Sequence, residues 1–591
     1  MTPEEKETYV EDPLPLFGEQ QHDLDPEAKP QPDPRDRIKP DEVKADPHNL
    51  MLLYDLFFAA NLTAFSNIHE TTNGERLVAY VGYFLVLWFL WFNVMLFDVR
   101  FVVDSIAERV LRAIHLGAMV GVSVVAPQYN PAAQVKGTFQ AFSVTLMVAR
   151  VVLAAQYGLT ILRKPNAWKG LAVMSATHGA AALVYLGITF RFTDSTNSRV
   201  FVAWYILGFV ETFIIFVVPY KFQGLSFGTT ALPERMKTAT LLILGEGVIV
   251  VAEHVSTVVK NANSWTSETI GVLTATVALI YVIFQLYFDW SWPAAGFKSS
   301  NPIFLYVWSV LHLLFHISLV LVMEGATQFV VWWKIVEMIN FVSDQFLYTY
   351  NTAIADGASA IASGMVAHLN STIESIWVHY PPELLVTYLH KEALLQEILA
   401  IDDTHWGNFP SLAEMEAGAG TNARYQDFVD KFRGLKVTVL NSILQSFNIE
   451  EIEDSGWQDH PSTYEQHAYE DASDRFNLVY IYVFCLAGVA LIMMSFLHVF
   501  SRMNTRSTLV QRITTGTNIT LGMGLMLLAS MSRFESHAKF AMTPWIIPSL
   551  FLVYLCALIL AHISRSYGRG EREEETGNLG LIRTDAEALK S

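Results

Sequence analysis

Runs of about 20 apolar residues recur along most of this chain, and a run of that length crosses the hydrocarbon core of a bilayer as one helix. Lipid offers the backbone no hydrogen-bond partners, so a spanning segment either forms a helix or joins a closed barrel. The runs here are continuous rather than alternating, which fits helices. Thirteen candidate spans can be marked, at about 49–68, 76–97, 107–127, 137–162, 169–190, 199–219, 236–256, 268–290, 303–323, 326–350, 477–499, 510–530 and 543–564. The predicted fold is an all-α polytopic membrane bundle of about 12–13 spans.

Charge divides the rest. Residues 1–48 carry 14 acids against 6 bases and residues 351–476 carry 20 against 6, which accounts for the formal net charge of −18. Residues 1–48 are polar and proline-rich and read as a disordered acidic tail. They do not resemble a cleavable signal, so the first span is expected to direct insertion. Residues 49–350 form a ten-span membrane domain. Residues 351–476 form a soluble, acidic, helical insertion, 477–564 the last three spans, and 565–591 a charged C-terminal tail. The acidity describes solvated appendages and excludes a nucleic-acid partner. Cys485 and Cys556 both sit in apolar runs, without disulfide or metal-ligand spacing. No cofactor is implied, and no enzyme motif stands out.

Loop bases set the expected topology. Arg35, Arg37, Lys39 and Lys44 precede the first span, and Arg163, Lys164, Lys169, Lys221, Arg235 and Lys237 flank later even-to-odd loops. This pattern predicts a cytoplasmic N-terminus. The late bases Arg565, Arg569 and Arg572 fit the same side only if one candidate does not cross. The tenth, with Lys334, Glu337 and Asp344, is the expected exception. The insertion would then lie outside, with Asn370 (Asn-Ser-Thr) open to glycosylation.

An internal repeat is visible. Aligning Met51–Thr63 with Leu242–His254 places Asp55 on Glu246, and the same offset of 191 places Asp98 on Asp289. His115 falls near His312, at an offset of 197. Six spans separate the copies, so they would share one orientation, as in parallel-repeat transporters with sites at the repeat interface.

Asp55 and Glu246 lie deep within apolar runs, where a carboxylate costs about 2.5–3.5 kcal/mol on insertion scales and therefore faces the bundle interior or a partner. They are the leading candidates for a proton or cation relay. The alternative is a structural carboxylate tied to an Arg, Lys or backbone donor. Arg150 and Glu211 are a natural buried ion pair, either structural or a gate that competes for Asp55 or Glu246. Asp98 and Asp289, at span ends, read as capping or solvated acids. His115, His178, His254, His312 and His316 read as hydrogen-bonded bundle histidines or proton relays, and His312 and His316, four apart on one helical face, could also hold a metal, although no HExxH accompanies them. Gly245 and Gly247 flank Glu246 and permit either local unwinding or close packing.

MLLYDLFFAANL (51–62) resembles the opening signature of the bacterial low temperature requirement A (LtrA) family. WFNVMLFD (91–98) resembles that family's Trp-rich helix ending in Asn-Arg-Phe-Asp, and LPERMKTATLLILGEGVIVV (232–251) resembles its Glu-Arg…LGE helix, supplying Glu234, Arg235, Gly245 and Glu246. The resemblance covers about 45–350 well and the last three spans loosely. Met51 replaces the family's first Glu, Leu96 its motif Arg, and Val99-Arg100-Phe101 the acids that follow. The resemblance implies a polytopic membrane protein linked to growth in the cold and supplies no biochemical activity. Two functions are therefore expected. One is a proton- or cation-coupled transporter or channel for an unknown ion or small solute. The other is a membrane sensor or scaffold whose residues 351–476 bind a protein partner.

Overall fold

The computed structural model describes residues 47–66, 71, 73–193, 198–222, 225–227, 230–259, 265–291, 302–355, 362–401, 423–447, 461–502, 508–533 and 540–588. Nearly all of the acidic N-terminal tail lies outside them. Every regular element among the described residues is a helix, with no strand among them. The first six apolar helices are α1 (Pro47–Ser66), α2 (Gly74–Phe101), α3 (Ile106–Val125), α4 (Lys136–Arg163), α5 (Trp168–Thr189) and α6 (Val202–Lys221). A second six are α7 (Leu232–Val258), α8 (Ser267–Gln285), α9 (Pro302–Ala355), α13 (Pro461–Ser501), α14 (Leu509–Ala529) and α15 (Ile546–Ala588). Three shorter segments, α10 (Ala362–Trp377), α11 (Leu385–Leu399) and α12 (Ala423–Ser446), come between α9 and α13.

Local chemistry starts these helices. The Asn73 side chain accepts the Arg76 N–H at 2.9 Å to cap α2, Ser105 caps α3, and Thr508 with Gln511 forms a capping box at α14. Ten helices among the described residues combine the length and hydropathy needed to cross a bilayer. The other two apolar helices, α1 and α14, have 20 and 21 residues. Polar positions dilute them, and Asp55 and Asn518 are fully buried in the bundle.

The two sets of six pack alike. In the first, α1 packs on α2 and α3, α3 on α4, α4 on α5, α5 on α6, and α6 returns to α2. In the second, α7 packs on α8 and α9, α9 on α13, α13 on α14, α14 on α15, and α15 returns to α8. Each of these six neighbour pairs in one set has its counterpart in the other, as a parallel six-helix repeat requires. The sets meet where α1 lies against α7. Asp55 of α1 meets Arg235 of α7, and Ser66, eleven residues on, meets Glu246, eleven residues beyond Arg235. These equivalent helices therefore run parallel.

The structure corrects the expected spans in one place. Candidates nine and ten are a single 54-residue helix, α9. At about 1.5 Å per residue it is far longer than a bilayer core. Its first part packs in the bundle, where Thr240 of α7 bonds His316 and Tyr287 bonds His312. Its last part carries the intervening helices: Thr349 bonds Thr372 of α10 at 2.6 Å, and Phe346 and Tyr350 pack on Phe428 and Phe432 of α12. Trp332 and Lys334 stand between the two parts, residue types suited to an interface. The Asn370 side chain is engaged within this helical unit, accepting from Lys391 Nζ at 3.1 Å. The expected C-terminal tail continues α15 as helix to Ala588.

Candidate functional site

Asp55 lies at the seam of the two sets. It is fully buried on α1, where Tyr54, Phe58 and Leu62 turn the same side of the helix inward. Its Oδ1 accepts from Arg235 Nη2 of α7 at 2.6 Å and from Trp91 Nε1 of α2 at 2.8 Å. Arg235 also donates to the Met51 carbonyl at 3.2 Å. The carboxylate is thus tied to an arginine, and that arginine belongs to the other six-helix set.

A second layer lies behind Tyr54, in the first set. Arg112 of α3 pairs with Asp98, and its guanidinium stands 5.6 Å from the centre of the Tyr54 ring. Asp98 is 1% exposed, so the expectation of a solvated span-end acid is overturned. Helix α2 continues past Asp98 to Phe101, and Arg112 reaches it from the adjacent helix. His115 bonds Gln156 at 2.9 Å, Gln156 donates to Glu108 at 2.5 Å, and Arg163 stands 3.7 Å from Glu108. Arg150 and Glu211 form the expected pair, Nη2 to Oε2 at 2.9 Å, and His178 lies 3.5 Å from Glu211. Each of these four acids, Asp55, Asp98, Glu108 and Glu211, faces an arginine.

Polar valences remain within this layer. The Tyr54 hydroxyl, Asp55 Oδ2, Asp98 Oδ2, Arg112 Nη1, Arg235 Nη1 and His115 Nδ1 are buried without a hydrogen-bond partner among the described residues. Buried groups of this kind are ordinarily satisfied by water, an ion or a ligand. Arg112 and His115 stand around the Tyr54 ring, and Asp55 and Asp98 lie within electrostatic reach of it, which makes this a polar interior suited to a solvated proton or a small polar solute.

Glu246 does not join it. It lies eleven residues along α7 from Arg235, about 16 Å at the helical rise, beside Ser66 and Tyr80. Asp55 and Glu246 therefore occupy opposite ends of one seam and do not meet. Helix α7 runs unbroken through Gly245 and Gly247, which overturns local unwinding. Gly247 serves close packing, since a Cβ there would lie 2.8 Å from Met323 Cγ, whereas Gly245 faces open space. Asp289 is half-buried in a π-helical turn, Leu286–Ser291, away from the Asp55 cluster. Glu234 is exposed and paired only loosely with Lys237, at 3.8 Å. His312 bonds Tyr287 and the Trp308 carbonyl, and His316 bonds Trp88 and Thr240. No group of three metal-ligating side chains occurs among the described residues.

Glu108, Arg112 and Gln156 were not singled out from the sequence as parts of a polar interior, whereas His178 was read as a bundle histidine and lies against Glu211. One signal was present: Glu108, Arg112 and His115 are spaced i, i+4, i+7, which places them on one face of α3.

Comparison with characterised proteins and with solved structures gives no match. The model of the bacterial low temperature requirement A protein (LtrA) family matches residues 49–353, from the start of α1 to the last turn of α9. That is just over half of the 591 residues and takes in both ends of the α1–α7 seam, so this multi-pass membrane protein belongs to the LtrA family.

Proposed function

We propose that this protein is a proton- or cation-coupled transporter or channel in which Asp55 is the coupling carboxylate. The observation that carries this reading is the fully buried Asp55–Arg235 pair joining equivalent helices of the two six-helix sets. Such an acid has two competing partners. While Arg235 holds it, the sets are latched. When a proton or cation takes the carboxylate, the ion pair across the seam is lost and the weaker bond from Arg235 to the Met51 carbonyl is what still joins α7 to α1 there. Occupancy of one small site is thereby converted into a change in how the repeats pack, the general scheme of rocking transporters. Arg150, Glu211, His115 and Asp98 line the interior through which the released charge would pass. The N-terminus faces the cytoplasm in this reading.

Proteoliposomes under an imposed pH gradient and voltage test it. Wild type is expected to carry proton or cation flux, with Asp55→Asn reducing it at least tenfold while still inserting. Undiminished flux in Asp55→Asn would remove Asp55 from the pathway.

Helix α9 favours a second reading, a sensor or scaffold. It runs as one rod from His316 in the bundle to the helices of 362–447, so movement in the membrane would be transmitted to a partner-binding unit. Here deletion of 352–475 should abolish low-temperature growth while Glu246→Gln leaves it intact. The opposite pattern supports transport.

A further inference from the structure

Basic side chains gather at the end of the first set where α2, α4 and α6 finish and α5 begins. Arg100 stands in the last turn of α2. Its three side-chain nitrogens donate to the Leu96 carbonyl at 3.1 Å, the Leu225 carbonyl at 3.5 Å and the Tyr157 hydroxyl at 3.0 Å. Its guanidinium lies 3.9 Å from the centre of the Phe227 ring and 4.9 Å from that of Phe101. Lys164, just past α4, brings its Nζ to 5.7 Å from the same Phe101 ring. Lys169 precedes Gly170, where a Cβ would lie 2.5 Å from Leu225 Cδ1 and 3.2 Å from Phe222 Cβ. The segment that Arg100 bonds therefore packs on the first turn of α5, beside Lys169. Lys221 stands directly before Phe222.

Neutral acceptors satisfy the hydrogen bonds of Arg100 and leave its charge standing. The described acids at this end of the first set face other bases: Asp55 meets Arg235, Asp98 meets Arg112, Asp104 meets Arg109 at 2.7 Å and Glu108 stands 3.7 Å from Arg163. Residues 223, 224, 228 and 229 adjoin the segment outside the described residues, and none of them is an acid. Topology alone accounts for bases in solvated loops. Arg100 differs, because it is half-buried and fixed by acceptors from α2, α4 and the connection from α6 to α7. A charge held inward at a helix end calls for a counter-charge. A guanidinium has five N–H groups, so two remain for a further acceptor.

The side chains beside these bases favour a lipid as that acceptor. Trp168 is 53% exposed and Tyr220 is 74% exposed, next in sequence to Lys169 and Lys221. Amphipathic rings of this kind sit at headgroup level. Basic pockets between membrane helices at that level take anionic headgroups, and a guanidinium matches a pair of phosphate oxygens.

We propose that Arg100, Lys164 and Lys169 bind the phosphate of an anionic phospholipid, with Lys221 at the edge of the site and Trp168 and Tyr220 at the level of the headgroup. A free phosphate offers the same oxygens, but the exposed rings suit a bilayer boundary. Binding here does not rest on the transport reading.

Native mass spectrometry of the full chain in detergent, titrated with phosphatidylglycerol or phosphatidylcholine, tests the site. Wild type is expected to hold one phosphatidylglycerol per chain at least tenfold more tightly than phosphatidylcholine. Arg100→Gln and the double variant Lys164→Gln/Lys169→Gln should each reduce that preference at least tenfold. Arg191→Gln, an exposed base just past the other end of α5, should bind as wild type does. The lysine variant keeps the test decisive where Arg100→Gln fails to fold. No preference for phosphatidylglycerol in wild type would overturn the proposal, including the case in which the acidic residues 1–46 already fill the site. So would a wild-type preference kept in either variant. Displacement of the lipid by an equal concentration of inorganic phosphate would overturn the lipid and make the ligand a soluble anion.

Discussion

Arg235→Met is expected to destabilise the protein by about 3–5 kcal/mol, because it removes one member of a buried ion pair and strands the other charge. Asp55 is fully buried, and Trp91 Nε1 would be its remaining strong donor. One neutral donor does not replace a guanidinium at 2.6 Å. The double variant Asp55→Asn/Arg235→Met should recover most of the loss. It removes both charges together, and the asparagine carbonyl oxygen still accepts from Trp91. Reversible unfolding in mixed micelles measures both variants against wild type. A single variant as stable as wild type would mean that the pair does not hold the seam. The double variant also separates folding from function: stability should return, whereas flux should stay as low as in Asp55→Asn alone, since the latch and its carboxylate are both gone.

The helical class and the six-helix repeat were legible in the sequence because both rest on long-range periodicity of apolar and charged residues. The break between candidates nine and ten was not. Glu324-Gly325 reads as a polar interruption followed by a helix breaker. In the fold Glu324 faces the interior, and α13 packs tightly on α9 at Gly325, where a Cβ would lie 2.1 Å from Val483 Cγ2. The glycine is present for a neighbour that lies far away in sequence, so the helix continues. Asp98 and Arg112 failed in the same way. Each sits near a span end, where a charge ordinarily faces water or a headgroup. Only the packing of α2 against its neighbours shows that they meet inside. Arg150 with Glu211 succeeded because both are mid-span, and a mid-span charge requires a partner.

Gly488→Val should separate α13 from α14, at a cost of about 3 kcal/mol, the upper end of typical overpacking losses. These helices approach through paired glycines. A Cβ on Gly488 would lie 2.3 Å from the Gly522 carbonyl oxygen, and one on Gly522 2.7 Å from the Gly488 carbonyl oxygen. Backbone atoms cannot swing aside as a side chain can, so the helices themselves must part. In a membrane, close packing of small residues is a main source of helix association, and what is lost here is not regained by burial from water. Gly516→Val, on α14 with nothing within 4 Å, carries the same change in side chain without the clash and should stay close to wild type. Melting temperatures of the two variants in one detergent make the comparison, and equal values would mean that α13 and α14 do not touch at Gly488. The effect should also reach the Glu246 end of the seam. Helix α13 lies beyond the segment that the family model matches, yet its Tyr482 holds Thr71, which holds Gln328. A displaced α13 removes that support, so Gly488→Val is expected to loosen the Thr71–Gln328 contact as well, whereas Gly516→Val is not.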